Sequence, residues 1–192
     1  VIQKLRDLET PEEFIEPVLQ KLRAQKLLDD HEYAASYVRT EMNTDLKGPG
    51  NIRQKLRLKK IGENDIDDAL AQFTLERQLE NATKLAKKLF RRYRSQPIRR
   101  QEQKVCQGLM TKGYASTIYD QIKDQVEPEE DFDQQEELLN HQAEKIWHRY
   151  RRYQGYEREM KFKQAMYRKG FDLDAVQAWL DQQDSGESFS DE

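Results

Sequence analysis

The chain has 192 residues, 36% charged and 36% hydrophobic, with a mean hydropathy of −1.08 and only 8 Gly and 5 Pro, which argues against a loop-rich or β-rich domain. A formal net charge of −3 gives no bulk attraction to nucleic acid or membrane, so any such affinity must come from how the charges are distributed. No run approaches the roughly 18 apolar residues that span a bilayer, no signal-peptide pattern opens the chain, and the single Cys106 can form no internal disulfide, so a cytoplasmic protein without membrane contact is expected.

Gln, Glu, Lys, Arg, Leu, Asp and Ala dominate and are mostly good helix formers, which predicts an all-α fold. Low apolar content at this length suits a row of small helical units, each burying a stripe against its neighbours, and hence an elongated, solenoid-like molecule. The sequence repeats accordingly. A shift of 57 residues places Ala82, Ala86, Leu89, Phe90 and Tyr93 on Leu139, Ala143, Ile146, Trp147 and Tyr150. It also takes Val105, Leu109, Lys112, Gly113 and Tyr114 onto Phe162, Met166, Lys169, Gly170 and Phe171. A shift of 53 places Tyr37, Ile52, Leu56, Lys59 and Ile61 under Phe90, Val105, Leu109, Lys112 and Tyr114, and a further 51 relates Val1, Leu5 and Ile15 to Ile52, Leu56 and Ile66.

In chain order these shifts predict a partial unit over 1–27 with two helices (B and C), then complete three-helix units (A, B, C) over 28–73, 74–126 and 127–183, and a disordered acidic tail over 184–192. A chain that opens on Val1, with a first unit lacking helix A, reads as a fragment missing N-terminal sequence. In the third unit helix A is expected from about Thr74 to Arg94, B from Pro97 to Lys112 and C from Ala115 to Val126. Pro49 and Pro97 fit first turns of helices, and Gly113 and Gly170 fit left-handed C-caps. Lys60 holds that position in the second unit, where a differently formed turn is expected. The acidic stretch 127–137, seven acids and no base, links two units and starts the last helix A.

The groups that could do chemistry are sparse. His31, His141 and His148 lack metal-ligand spacing and read as solvated. Cys106 reads as a small half-buried side chain, the acidic pairs as caps and solvated faces, and no phosphate-binding glycine loop occurs. Neither an enzyme nor a cofactor is expected. The positive charge is more informative, because it is clustered. Residues 47–60 hold six bases and no acid behind a Gly-Pro-Gly turn, which reads either as a soluble helix face or as a phosphate-holding helix start. Basic clusters then recur in the third and fourth units, where stacking would line them along one side. Phe90 and Trp147 read as core, while Tyr93 and Tyr150 suit core or contact equally.

A helix B ending in L-x-x-K-G-aromatic, with "LLDDHEYAASYVR" (27–39) and "KGPGNIRQKL" (47–56), resembles the RecX family of bacterial recombinase regulators over essentially the whole chain. The resemblance implies tandem three-helix units in a curved molecule. It also implies a non-enzymatic regulator, mainly an inhibitor, of the RecA strand-exchange ATPase in recombinational DNA repair. Such a protein is expected to act as a monomer on the RecA filament on single-stranded DNA, with direct weak DNA binding as a further implication. The alternatives are a stand-alone DNA-binding repeat protein and a purely protein-binding scaffold. Within the family segment Asp30 is expected to cap a helix and Tyr33, Tyr37, Ile52 and Leu56 to pack in the core. The contact candidates are Arg39, Lys47, Arg53, Arg57, Lys88, Arg91, Arg92, Arg94, Arg99, Arg100, Arg149, Arg151, Arg152 and Arg158.

Overall fold

The computed structural model describes residues 2–25, 27–126, 128 and 132–187, and every regular element among them is helical. The helices are α1 (Ile2–Asp7), α2 (Glu12–Ala24), α3 (Asp30–Thr44), α4 (Pro49–Leu58), α5 (Glu63–Ala71), α6 (Leu75–Tyr93), α7 (Ile98–Thr111), α8 (Ile118–Ile122), α9 (Phe132–Arg149), α10 (Gly155–Lys169) and α11 (Leu173–Glu187), with a single 3-10 turn, Lys123–Gln125, after α8. Backbone packing divides the chain into two compact units, residues 1–77 and 78–192. The first holds α1 to α5 and the start of α6; the second holds the rest.

Within each unit the core is the repeat read in three dimensions. Ile52, Val105 and Phe162 share one repeat position, Leu56, Leu109 and Met166 the next turn along, and all six are buried. On the A helices the buried partners include small or medium residues, Ala34 and Val38 on α3, Ala82 and Ala86 on α6, Ala143 and Ile146 on α9, with Leu85 and Phe90 as larger additions on α6. Small side chains there let helix A lie close against B. Gly108 of α7 shows the tightness, since a Cβ on it would stand 2.6 Å from Leu89 Cδ1 on α6. The last unit closes around Ile146, Phe162, Met166, Phe171, Val176, Trp179 and Leu180.

One turn geometry ends every B helix. At Glu9, Lys60, Gly113 and Gly170 φ is +56°, +64°, +92° and +95°. The residue after each donates back five positions: Thr10 N to Leu5 O (3.1 Å), Ile61 N to Leu56 O (3.2 Å), Tyr114 N to Leu109 O (3.1 Å) and Phe171 N to Met166 O (3.2 Å). This is the Schellman arrangement. The expectation of a different turn at Lys60 is thus overturned: lysine takes the left-handed backbone, because the bond from Ile61 and the burial of Leu56 hold it there.

Other boundaries also moved. Asp29, and not Asp30, caps α3, its Oδ1 accepting from Glu32 N at 2.9 Å. Pro49 opens α4, but Pro97 stands one residue outside α7, its carbonyl accepting from Arg100 N and Gln101 N. The C helix of the third unit is short, ending in the 3-10 turn. Helix α11 continues to Glu187, four residues into the expected tail, and 188–192 lie outside the described residues, as do 127 and 129–131 of the acidic stretch.

Candidate functional site

The candidate cations fall into three groups. In the first compact unit they are paired with acid. Arg39 donates to Glu32 at 2.8 Å, Arg53 to Glu63 (3.1 Å) and Asp67 (2.5 Å), and Arg57 to Glu63 (2.6 Å). The basic run on α4 is therefore matched by the acids that start α5, and the guanidinium of Arg57 holds the Glu63 carboxyl below its ordinary range. Lys47 is only 19% exposed, its ammonium lying against Glu41 and 2.9 Å from Asp45, so it ties the Gly-Pro-Gly turn to α3. Tyr37 joins that network through a hydrogen bond to Glu41, and burial together with that bond pushes its hydroxyl up to about 12. Tyr33, expected in the core, is exposed instead and stacks on Tyr37 at 6.1 Å beneath the Lys59 ammonium.

A second group sits at joints inside the second unit. Arg99 and Arg100, at the start of α7, reach the end of α10: Arg99 lies 4.4 Å from the Tyr167 ring centre and donates to its hydroxyl at 3.0 Å, while Arg100 donates to the Arg168 carbonyl. Arg100 thereby satisfies a carbonyl left open by the helix end. Gly170 fits beneath it, since a Cβ there would stand 2.5 Å from Arg100 Cγ. Arg158 covers the Trp147 ring at 3.7 Å and donates to the Trp147 carbonyl at 3.1 Å, so it completes the core of the last unit.

The third group is exposed to solvent. Lys88, Arg92 and Arg94 at the end of α6, and Arg149 at the end of α9, are exposed and make no ion pair among the described residues. Arg91, in the same turn, is exposed as well. Arg151 and Arg152 follow α9 and contact His148 (3.2 Å) and the Tyr153 hydroxyl (2.9 Å) in place of a carboxylate. The repeat shifts bring Arg92 onto Arg149, Lys88 onto Lys145 and Arg94 onto Arg151, so these exposed cations recur at the end of helix A in both repeats. Cations there are favoured by the helix dipole, which explains their tolerance but not their number. Such a surface attracts phosphate or carboxylate groups and loses that attraction as salt rises.

The remaining aromatic assignments are now legible. Phe90 is buried, Trp147 is half-buried under Arg158, and Tyr150 packs against the core of the last unit while its ring lies 6.1 Å from Tyr153. Tyr156, absent from the candidates, is 77% exposed, and the alternation of Arg and Tyr in "RYRRYQGY" was the available signal for it. Burial and the nearby Asp120 and Glu102 push the Cys106 thiol up, away from reactivity. No helix among the described residues is long and apolar enough to cross a membrane.

Comparison with known proteins agrees with this architecture. The family model for the second three-helix domain of RecX matches residues 29–70, and that for the third matches twice, at 76–122 and 133–180. Regulatory protein RecX of Limosilactobacillus reuteri (strain DSM 20016) is 67% identical over 184 residues, covering 96% of this chain and 70% of that protein. Its namesake in Levilactobacillus brevis is 49% identical over 188 residues, covering 98% and 70%. A crystal structure of regulatory protein RecX aligns with a TM-score of 0.61 at 69% identity, over 64% of this chain and 61% of that one. RecX from Lactobacillus salivarius aligns with a TM-score of 0.61 at 40% identity, over 65% and 81%. Two family domains matching three successive stretches, with relatives of this identity over nearly the whole chain, place it: the chain belongs to the RecX family.

Proposed function

We propose that this chain regulates RecA, mainly as an inhibitor, by laying the basic ends of its A helices on the RecA filament formed on single-stranded DNA and suppressing ATP hydrolysis and strand exchange. The relatives' name, regulatory protein RecX, supports regulation. The observation that carries the binding mode is the set of exposed cations Lys88, Arg92, Arg94 and Arg149 at repeat-related helix ends. In the first unit every named candidate is instead engaged by a neighbouring carboxylate, which makes it a weaker source of attraction. A filament of nucleic acid and protein presents anionic groups at regular spacing, and a repeat protein matches such a lattice with one contact per unit.

The test is RecA ATPase on single-stranded DNA, titrated with this chain at two salt concentrations. Inhibition that weakens as salt rises is the expected result. Inhibition insensitive to salt favours the protein-binding scaffold, and no effect on RecA at any ratio removes the proposal.

A further inference from the structure

The corner between α9 and α10 differs from its counterpart one repeat earlier. At the third-unit positions related by 57 residues, the Gln96 carbonyl accepts from Gln101 (2.8 Å) and Gln135 (3.2 Å), and Arg99 packs on Tyr167. Those positions are used up in joining the third unit to the fourth. In the fourth unit they are Tyr153 and Tyr156. Here residues 149–156 contain three arginines, three tyrosines and no acid.

The three tyrosines differ in their surroundings. Tyr150 is packed against the core. Tyr153 is a holder: Arg152 lies 4.9 Å and Lys161 4.6 Å from its ring centre, Arg152 donates to its hydroxyl, and Lys161 is paired with Glu157 at 3.6 Å. Tyr156 is 77% exposed and makes no ring contact among the described residues. The preceding Gly155, at φ +50°, has nothing within 4 Å of where a Cβ would stand, so the approach to this corner is open.

We infer that this corner is a binding site for single-stranded nucleic acid, in which Tyr156 stacks on an unpaired base while Arg149, Arg151 and Arg152, the last held on Tyr153, contact the flanking phosphates. A free aromatic face beside exposed guanidinium groups matches a ligand that offers both a π-face and a phosphate in each residue. A duplex hides its base faces, and an acidic protein segment would satisfy the arginines but leave Tyr156 unused. The site deepens the reading of the basic helix ends and rests on it for its phosphate contacts, while the stacking contact stands apart from RecA.

The experiment is fluorescence anisotropy with labelled oligothymidylate, oligouridylate and a duplex of equal length, all without RecA. Tyr156→Ala should weaken binding to the single strands by about tenfold, the scale of one lost stack, while Tyr156→Phe and Tyr156→Trp retain it. Quenching of the added indole emission in Tyr156→Trp by oligothymidylate is the expected spectroscopic signature. Duplex binding should change by less than about twofold, as no base face is offered. Equal loss for single strand and duplex, no loss for Tyr156→Ala, or full competition by polyglutamate with Tyr156→Ala unaffected would each overturn the assignment. The DNA and RNA arms identify which strand the site takes. RecA inhibition by Tyr156→Ala, measured alongside, tells failure of this site from failure of the RecA proposal.

Discussion

Lys60 holds the same left-handed backbone as Gly113, φ +64° against +92°, at the same position of successive repeats. A lysine there costs about 1–2 kcal/mol, whereas a glycine costs about 0.4–1 kcal/mol through the unfolded chain. Lys60→Gly is therefore expected to stabilise the first unit by about 0.5–1 kcal/mol. The urea midpoint measures it, and a lower midpoint would show that the Lys60 side chain contributes something the backbone does not reveal.

Gly170 and Gly155 both have positive φ, but only Gly170 meets a neighbour, Arg100 Cγ at 2.5 Å and Arg100 N at 3.3 Å from an added Cβ. Gly170→Ala should cost about 2–3 kcal/mol, combining backbone strain with a displaced Arg100, and Gly155→Ala about 1 kcal/mol. Thermal melts of the two variants decide the point. Equal losses would mean that α7 yields freely to the end of α10.

Arg158 was a contact candidate, but its guanidinium covers Trp147 at 3.7 Å. Arg158→Ala should destabilise the last unit by about 1–2 kcal/mol. It should also red-shift the indole emission, since Trp147 and Trp179 both lie in that unit and are the two tryptophans of the chain. Unchanged stability and emission would return Arg158 to the interaction surface.

Alkaline pH should loosen both compact units. The hydroxyls of Tyr37 and Tyr119 are raised from 10.0 to about 12, mainly by burial, and Lys47 is held upward by its hydrogen bonds to Glu41 and Asp45. Groups whose folded values are raised give stability that is fully present below their unfolded values and lost as pH rises through the folded ones. The melting temperature should therefore hold to about pH 10 and fall between about pH 10 and 12. Tyr37→Phe should shallow the fall. A flat profile to pH 12 contradicts these pairings.

The helices, the repeat and the core were legible because each rests on a period in the sequence: Val105 and Phe162 are recognisable as equivalents before either is seen buried. The turn at Lys60 was misread because local propensity disfavours lysine there, while the bond from Ile61 to Leu56 overrides it. The candidate list was too broad for a related reason. Sequence shows where positive charge lies but not which carboxylate or ring faces it, so Arg53 with Asp67, Arg100 with the Arg168 carbonyl and Arg158 with Trp147 resembled Arg92 until their neighbours were placed. Tyr33 erred in the opposite sense, an aromatic on the expected stripe that the fold leaves outside.

The central claim is that the exposed cations at the helix A ends, and not the paired cations of the first unit, bring this chain to RecA. The most direct measurement compares RecA ATPase inhibition by two folded charge-reversal variants, Arg92→Glu/Arg94→Glu/Arg149→Glu and Arg39→Glu/Arg53→Glu/Arg57→Glu, with helical content checked by circular dichroism. The account predicts at least a tenfold higher half-inhibitory concentration for the first, about 1.4 kcal/mol, and a smaller rise for the second. Unchanged inhibition by the first variant, or a larger loss in the second, would contradict it.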